Sequence, residues 1–336
     1  MVDFKTHIKD VAPASVLIIH HWDADGLSCT ALLLNWLAEH APETTVQTMY
    51  PQINNYFLTE SEYESIRDGG YDGIVCADLN FSVDVIEALE QIASPVFVFD
   101  HHSQTEGINR PGIQDTSYPG CSALVHEYLF GGEPSLLGVL GMVGDMEERL
   151  KERAGHYEAV EAVMEKESLS FKDIHHMTRL IDTSYIIKDE DAIAHAIEVL
   201  RKDPKDALTD EQMIANEQRI ADELERESGK ELERVTDKVL FLPIESEMSL
   251  ISAITRTQSR KHPEAVIVTE QRRGDDASFY VRRKDAEIDL GCVAELAKGK
   301  GYVAGGKPEV TGIVLPAADL DGFRSEVFEL LKQELE

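Results

Sequence analysis

The sequence predicts an α/β protein: an N-terminal parallel sheet with helices on both faces, a helical connector and a smaller C-terminal α+β domain. Short, continuous apolar runs alternate with helical periodicities over the first ~145 residues, a pattern typical of strands buried on both faces of a parallel sheet. The middle of the chain is charged and poor in aromatic residues. Because 336 residues exceed one ordinary core, we expect at least two domains.

The predicted N-terminal domain covers residues 1–148. Its apolar runs predict strands at residues 16–19, 45–50, 73–77 and 95–99. Periodicity of 3.6 residues predicts helices at 27–39, 82–92, 122–130 and 135–143. Ser82 is the expected N-cap of the second of these helices.

Residues 149–238 are predicted to be a helical connector that ends in one long helix. Apolar residues recur at helical spacing near its end, at Met213, Ile214, Ile220, Ala221 and Leu224. We expect this acidic helix to pack within the chain; the alternative is a homodimer formed through the connector.

The predicted C-terminal domain covers residues 239–336. Strands are expected at 239–244, 265–269, 278–282 and 311–315, the second and third of them paired. Helices are expected at 250–261, at 290–297 and from residue 318 onward, with a glycine-rich turn before the last strand.

The composition limits the class of partner. Sixty-three acidic residues against 32 basic ones give a formal net charge of -31, which repels a long nucleic acid unless a local cation meets it. A salty cytoplasm is a second explanation for this excess of acidic residues.

The apolar runs are too short to span a membrane and no secretory signal is evident, so a cytoplasmic protein without a membrane partner is expected. The four cysteines form no CxxC pair, which predicts buried, reduced thiols.

Acidic and histidine residues follow several of the predicted strands. The set comprises His21, Asp23 and Asp25 after the first strand, Asp78 after the third, Asp100, His101 and His102 after the fourth, and Asp145 at the end of a helix. The carboxyl ends of parallel strands meet at one edge, so these residues are expected to converge there. Carboxylates with a few imidazoles suit Mn²⁺ or Mg²⁺, and two such ions support metal-assisted phosphoryl hydrolysis.

Each residue of this set has an ordinary explanation when taken alone. Asp23 and Asp25 could cap the helix near residue 27, and a lone aspartate such as Asp78 is often a turn former. His20 could replace His21 as a ligand, whereas His175 and His176 of the connector are interpreted as structural or solvated. The occurrence of four strand-linked clusters together favours the metal site.

The order of these motifs resembles the DHH phosphoesterase superfamily, in particular its RecJ-like and nanoRNase-like members. The motifs are His21-Trp-Asp-Ala-Asp-Gly26, Asp78, Asp100-His101-His102 and Gly141-Met-Val-Gly-Asp145. The segment from Gly305 to Gly312 is similar to the glycine-rich signature of the DHHA1 domain. It departs from that signature at Ala304 in place of a glycine, at Lys307 in place of a histidine, and at Val310-Thr311 in place of two alanines.

The resemblance implies roles for these residues around two divalent cations, Mn²⁺ first and Mg²⁺ as the alternative. Asp23 with His21 would bind one ion, Asp25, His101 and Asp145 the other, and Asp78 both. His102 would face the scissile phosphate, and Asp100 would orient the histidine pair. The implied substrate contacts across the interdomain cleft are Arg282, Arg283, Gly305, Gly306 and Lys307, although both arginines could instead be solvated at a strand end.

The expected activity is hydrolysis of short oligonucleotides or cyclic dinucleotides by a metal-dependent phosphodiesterase. The acidic composition and the lack of an evident OB-like segment disfavour a RecJ-like single-strand exonuclease, which is the first alternative. An inorganic pyrophosphatase is disfavoured by the DHHA1-like segment. A catalytically inactive DHH scaffold is disfavoured because every expected acidic ligand is present.

Overall fold

The computed structural model describes residues 2–55, 57–103 and 109–335. The chain divides into two compact units, named here by their ranges. Unit 1 is Met1–Tyr185 with Asp189–Glu217, and unit 2 is Ile186–Lys188 with Gln218–Glu336. The sequence predicted a catalytic domain, a connector and a substrate-binding domain, and the functions of these three parts remain predictions. No helix in the described ranges combines the length and apolar character needed to cross a membrane.

Unit 1 contains the predicted parallel sheet, which has five strands in the order β2-β1-β3-β4-β5. Every neighbouring pair in this sheet is parallel. The strands are β1 (Ser15–His20), β2 (Thr45–Met49), β3 (Gly73–Ala77), β4 (Val96–Asp100) and β5 (Gly112–Gln114). The last of these was not predicted, since three residues give no readable pattern.

Alternation along β1 shows that helices cover both faces of this sheet. Val16 and Ile18 pack in a core that includes Phe4 of α1 (Phe4–Val11) and Trp36 of α2 (Ala24–His40). Leu17 and Ile19 point the opposite way, because side chains alternate along a strand. They pack in a separate core with α3 (Glu60–Gly69) and α4 (Val83–Glu90). The fold class is therefore confirmed.

The remaining helices of unit 1 surround α2. They are α5 (Cys121–Leu129), α6 (Leu136–Met146), α7 (Ala154–Glu167), α8 (Phe171–Ile186) and α9 (Glu190–Lys202), followed by α10 (Glu211–Ser228), which continues into unit 2. One hydrophobic core joins residues of α2, α6, α7, α8 and α9. Ser82 is the N-cap residue of α4, as expected, although its side chain makes no capping hydrogen bond.

Unit 2 contains a six-stranded mixed sheet in the order β10-β11-β9-β8-β7-β6. Its strands are β6 (Glu233–Arg234), β7 (Val239–Ile244), β8 (Val266–Arg273), β9 (Asp276–Arg282), β10 (Val303–Lys307) and β11 (Val310–Pro316), and its helices are α11 (Ile251–Lys261), α12 (Gly291–Gly299) and α13 (Leu320–Leu335). The expected antiparallel pairing of β8 with β9 is present.

The glycine-rich turn expected before the last strand is wrong. Gly305, Gly306 and Lys307 belong to β10 and pair with β11 in an antiparallel hairpin. A Cβ on Gly306 would lie 1.9 Å from the Val310 carbonyl oxygen. This glycine is therefore required for close approach of two strands, a role that a sequence pattern does not distinguish from a turn.

Candidate metal centre

The carboxyl ends of the strands in unit 1 bring the predicted acidic and histidine residues together. His21 follows β1, Asp78 follows β3 and Asp100 ends β4. Three sets of side chains offer ligand atoms within 4.8 Å of one another: His21, Asp23 and Asp78; Asp25, His101 and Asp145; and Asp78, His101 and His102. The first two sets contain the residues that were expected to bind the two ions. That these residues are metal ligands remains a prediction.

The first set is centred on the His21 ring. Its Nδ1 atom lies 2.8 Å from Asp23 Oδ2 and 3.7 Å from Asp78 Oδ2. Asp23 is also the N-cap of α2, and its Oδ1 accepts from the backbone N–H groups of Asp25 and Gly26. The capping explanation and the ligand explanation of Asp23 are thus compatible, because different oxygens serve them.

The second set is centred on His101. Its Nε2 atom lies 3.2 Å from Asp145 Oδ2, 3.4 Å from Asp78 Oδ1 and 3.8 Å from Asp25 Oδ2. Its Nδ1 atom instead faces the Tyr118 carbonyl oxygen at 3.2 Å. That hydrogen bond places the proton on Nδ1 and leaves Nε2 as the ligand atom.

Asp78 lies between the two sets. Its Oδ2 faces His21 and its Oδ1 faces His101. Its backbone has a left-handed φ of 63°, an uncommon conformation for a residue other than glycine. The Asp78 N–H donates to the Phe99 carbonyl oxygen of β4 at 2.9 Å, which helps to hold this conformation. The two oxygens therefore face two different histidines.

The Asp25 carboxylate is fixed at the start of α5. Its Oδ2 accepts from the Cys121 N–H at 2.5 Å and its Oδ1 from the Ser122 N–H at 2.7 Å. The N-terminal end of a helix stabilises a carboxylate there. Gly141 of α6 packs against the same group, since a Cβ at this position would lie 1.7 Å from Asp25 Oδ1.

Asp100 contacts only one of the two histidines it was expected to orient. Its Oδ1 accepts from the His102 N–H at 2.8 Å and lies 2.7 Å from His102 Nδ1. Burial raises the pKa of Asp100, but hydrogen bonds from His102 and the Asn80 N–H outweigh it and lower the pKa overall. Asp100 therefore orients His102, whereas the Tyr118 carbonyl orients His101.

No Lys or Arg that the structure describes forms an ion pair with the carboxylates of the site. Burial, with the charge of Asp145, raises the pKa of Asp25 to about 6, and burial with the charge of Asp25 raises that of Asp78 well above its usual range. Within the described ranges, these groups form ion pairs with histidine alone.

The donor atoms fit divalent cations. In the described part of the chain, His101 Nε2 and Asp78 Oδ1 are buried without a hydrogen-bond partner. Carboxylate oxygens with one or two imidazole nitrogens are ligands that Mn²⁺ accepts, and two Mn²⁺ or Mg²⁺ ions would offset the repulsion among the carboxylates.

The geometry favours His21 over its neighbour His20. The His20 ring is buried, packs near Tyr50 and donates from Nδ1 to the His21 carbonyl oxygen. Burial lowers the pKa of His20 to about 4, which keeps the ring neutral. His20 lies outside all three ligand sets, and within the described ranges His175 and His176 do as well.

The structure adds one acidic residue that the sequence motifs did not indicate. Asp182 of α8 accepts a hydrogen bond from the Ala24 N–H, beside Asp23. It is 158 positions from Ala24 and stands in no recognisable motif, so no local pattern could have indicated it.

The predicted substrate contacts lie in unit 2 and divide into two sets. Gly305, Gly306 and Lys307 line a cavity of about 510 Å³ together with residues of α12. Arg283 is paired with Glu287 at 2.9 Å and with Asp285 at 3.6 Å, so its charge is already neutralised.

Arg282 differs from its neighbour Arg283. It forms no ion pair with any residue the structure describes. Burial and the charges of Arg256 and Arg260 of α11 lower the pKa of Arg282. Arg256 and Arg260 lie four residues apart on α11, and no sequence motif indicated them.

Residues 15–170 match the DHH family, N-terminal domain. No curated protein matches the chain significantly in sequence.

Solved structures share the fold at low sequence identity. A DHH-domain protein described as a member of a family of ribosomal proteins is 14% identical with a TM-score of 0.67, over 96% of this chain and 88% of its own. RecJ from Thermus thermophilus in complex with Mn²⁺ is 16% identical with a TM-score of 0.65, over 98% of this chain and 53% of its own. The pGpG-specific phosphodiesterase PggH from Vibrio is 13% identical with a TM-score of 0.51, over 95% of this chain and 99% of its own.

Proposed function

We propose that the protein is a metal-dependent phosphodiesterase acting on short oligonucleotides or cyclic dinucleotides, since residues 15–170 match the DHH family and contain acidic and histidine groups that could hold metal ions. The observation that carries this proposal is the position of Asp78 between His21 and His101, with one oxygen toward each.

In this proposal, the side chains divide between two ions. His21, Asp23 and Asp78 would hold one divalent cation, and Asp25, His101, Asp145 and Asp78 the other. When bound, two Mn²⁺ ions supply a nucleophilic hydroxide and charge neutralisation for phosphoryl transfer. RecJ from Thermus thermophilus was solved with Mn²⁺ and with Mg²⁺, and the imidazole ligands of this chain favour Mn²⁺.

His102 is the proposed proton donor. Its Nδ1 lies 2.7 Å from Asp100, so the proton exchanged with a substrate is on Nε2. Its side chain is 33% exposed, in contrast to the 2% of Asp78, and can therefore meet a ligand. A hydrogen bond from Nε2 to the leaving oxygen would stabilise the charge that develops there.

The charge distribution supports a small anionic substrate. A net charge of -31 repels long nucleic acids. Arg256, Arg260 and Arg282 of unit 2 are basic groups without an ion pair to any described residue, despite the acidic excess. We assign these three arginines to binding substrate phosphates. We assign the same role to Gly305, Gly306 and Lys307, which line the cavity between β10 and α12.

A product assay with Mn²⁺ tests the proposal. The panel consists of single-stranded oligonucleotides of graded length, cyclic and linear dinucleotides, and pyrophosphate. We expect Mn²⁺-dependent mononucleotide release that is fastest for the shortest substrates. Fast phosphate release from pyrophosphate alone would favour a pyrophosphatase, and processive digestion of long strands would favour a RecJ-like exonuclease.

The matched control in this assay is Asp78→Asn. Asparagine tolerates the left-handed backbone at this position and keeps the size of the side chain, but it removes one charged bridging oxygen. The variant should fold and lose turnover. Equal rates for Asp78→Asn and the parent protein would contradict the metal mechanism, and no turnover of any phosphoester by the parent would favour a scaffold.

A further inference from the structure

Asp182 is a carboxyl group beside the metal centre that the proposed mechanism leaves unused. It lies on α8, beyond residues 15–170 that match the DHH family. Its Oδ1 accepts a hydrogen bond of 2.8 Å from the Ala24 N–H. Ala24 is the first residue of α2 and directly follows Asp23 in the chain.

The contact fixes one of the unsatisfied N–H groups at the start of α2. Asp23 Oδ1 already accepts from the Asp25 and Gly26 N–H groups. Asp182 accepts from the neighbouring Ala24 N–H, so two carboxylates share the first turn of the helix. This division leaves Asp23 Oδ2 directed to His21 at 2.8 Å.

Asp182 has no cationic partner in the part of the chain that the structure describes. Burial, together with the charges of Asp23 and Asp145, raises its pKa well above the usual range. Keeping an acidic group here opposes folding of the ion-free protein. The hydrogen bond to the Ala24 N–H needs only an acceptor oxygen at this position, and it holds the backbone directly after Asp23.

We infer that Asp182 is a positioning residue that holds the Asp23–Ala24 backbone so that Asp23 Oδ2 meets its cation. The inference rests on the proposed function. Because α8 packs in the core shared with α2 and α6, the same contact also links the position of α8 to metal binding. Hydrogen-bonded groups one shell outside a metal typically change affinity by roughly 10- to 100-fold when removed.

Two substitutions separate the hydrogen bond from the charge. Asp182→Asn keeps an oxygen acceptor for the Ala24 N–H and removes the charge, whereas Asp182→Ala removes both. The matched control is Asp173→Ala on the same helix. Asp173 caps the start of α8 through Ser170, and its removal loosens the helix end without touching the Asp23 loop.

The experiment measures the Mn²⁺ dissociation constant of the four full-length proteins by titration calorimetry, with deuterium exchange of residues 22–27 without metal as a second readout. We expect Asp182→Ala to weaken Mn²⁺ binding about 10-fold or more and to speed exchange, while Asp182→Asn and Asp173→Ala stay near the parent protein. Equal affinity in Asp182→Ala, or an equal loss in Asp182→Asn, would overturn the inference. Absence of Mn²⁺ binding by the parent would instead refute the proposed function.

Discussion

Gly141 of α6 lies so close to Asp25 that a Cβ at position 141 would be 1.7 Å from the Asp25 Oδ1 atom. The same Cβ would be 2.4 Å from the Ser122 hydroxyl. The contact explains why a glycine stands four residues before Asp145, since α6 must touch the carboxylate that α5 fixes. A methyl group here has to displace Asp25 or separate two helices.

Gly141→Ala is therefore expected to weaken Mn²⁺ binding and lower the melting temperature, although alanine favours a helix more than glycine does. Gly144→Ala on the same helix is the control, because its Cβ would meet its nearest atom at an ordinary 3.6 Å. Titration calorimetry and thermal unfolding of both variants check this. Similar behaviour of the two variants would show that the close approach at Gly141 is unimportant.

The adjacent histidines 20 and 21 should respond differently to substitution. His21→Gln removes a proposed ligand and is expected to weaken Mn²⁺ binding with a small change in stability. His20→Gln alters a buried ring that hydrogen-bonds the His21 carbonyl, and it is expected to lower the melting temperature more. Metal affinity and thermal unfolding are measured for both. The reverse pattern would make His20 the ligand.

We expect substitution of Arg256 and Arg260, which form no ion pair with any described residue, to affect substrate binding alone. Arg256→Ala combined with Arg260→Ala should raise KM for a dinucleotide by at least about 10-fold, since a single charge-assisted hydrogen bond contributes roughly 1.5–3 kcal/mol. The value of kcat should change little. Arg234→Ala is the control, because Arg234 is exposed and paired with Asp237. An unchanged KM in the double variant would remove these arginines from the substrate site.

The lowered pKa of Lys188 in unit 2 predicts that the stability of the protein depends on pH. Burial, with the charge of Arg273, lowers its pKa from 10.5 to about 8. The unfolded chain binds more protons than the folded one between these values, so stability rises as pH increases from 8 toward 10.5. Lys188→Met should be more stable than the parent at about pH 7 and lose this rise. The urea midpoint is measured against pH, with exposed Lys284→Met as control; equal slopes in both variants would contradict the assignment.

The sequence predicted the centre of the unit 1 sheet well because β1, β3 and β4 are buried. The runs at β1, β3 and β4 are continuous and apolar, and each leads directly into polar residues of the candidate metal centre. Parallel topology then brings those ends to one edge, so local patterns were sufficient to assemble the candidate ligands.

Contacts between distant segments could not be read in this way. The Asp182–Ala24 and Gly141–Asp25 contacts depend on how helices pack, and the pairing of β10 depends on close approach to Val310. Arg282 and Arg283 look equivalent in sequence, yet Glu287 and Asp285 neutralise only Arg283.

The number of Mn²⁺ ions bound per chain tests the two-cation centre most directly. Titration calorimetry with metal-depleted protein should give two equivalents for the parent chain, since Asp78 divides its oxygens between two ligand sets. Asp78→Asn should bind at most one ion with high affinity. A single equivalent for the parent, or two for Asp78→Asn with unchanged affinity, would contradict the bridging role of Asp78.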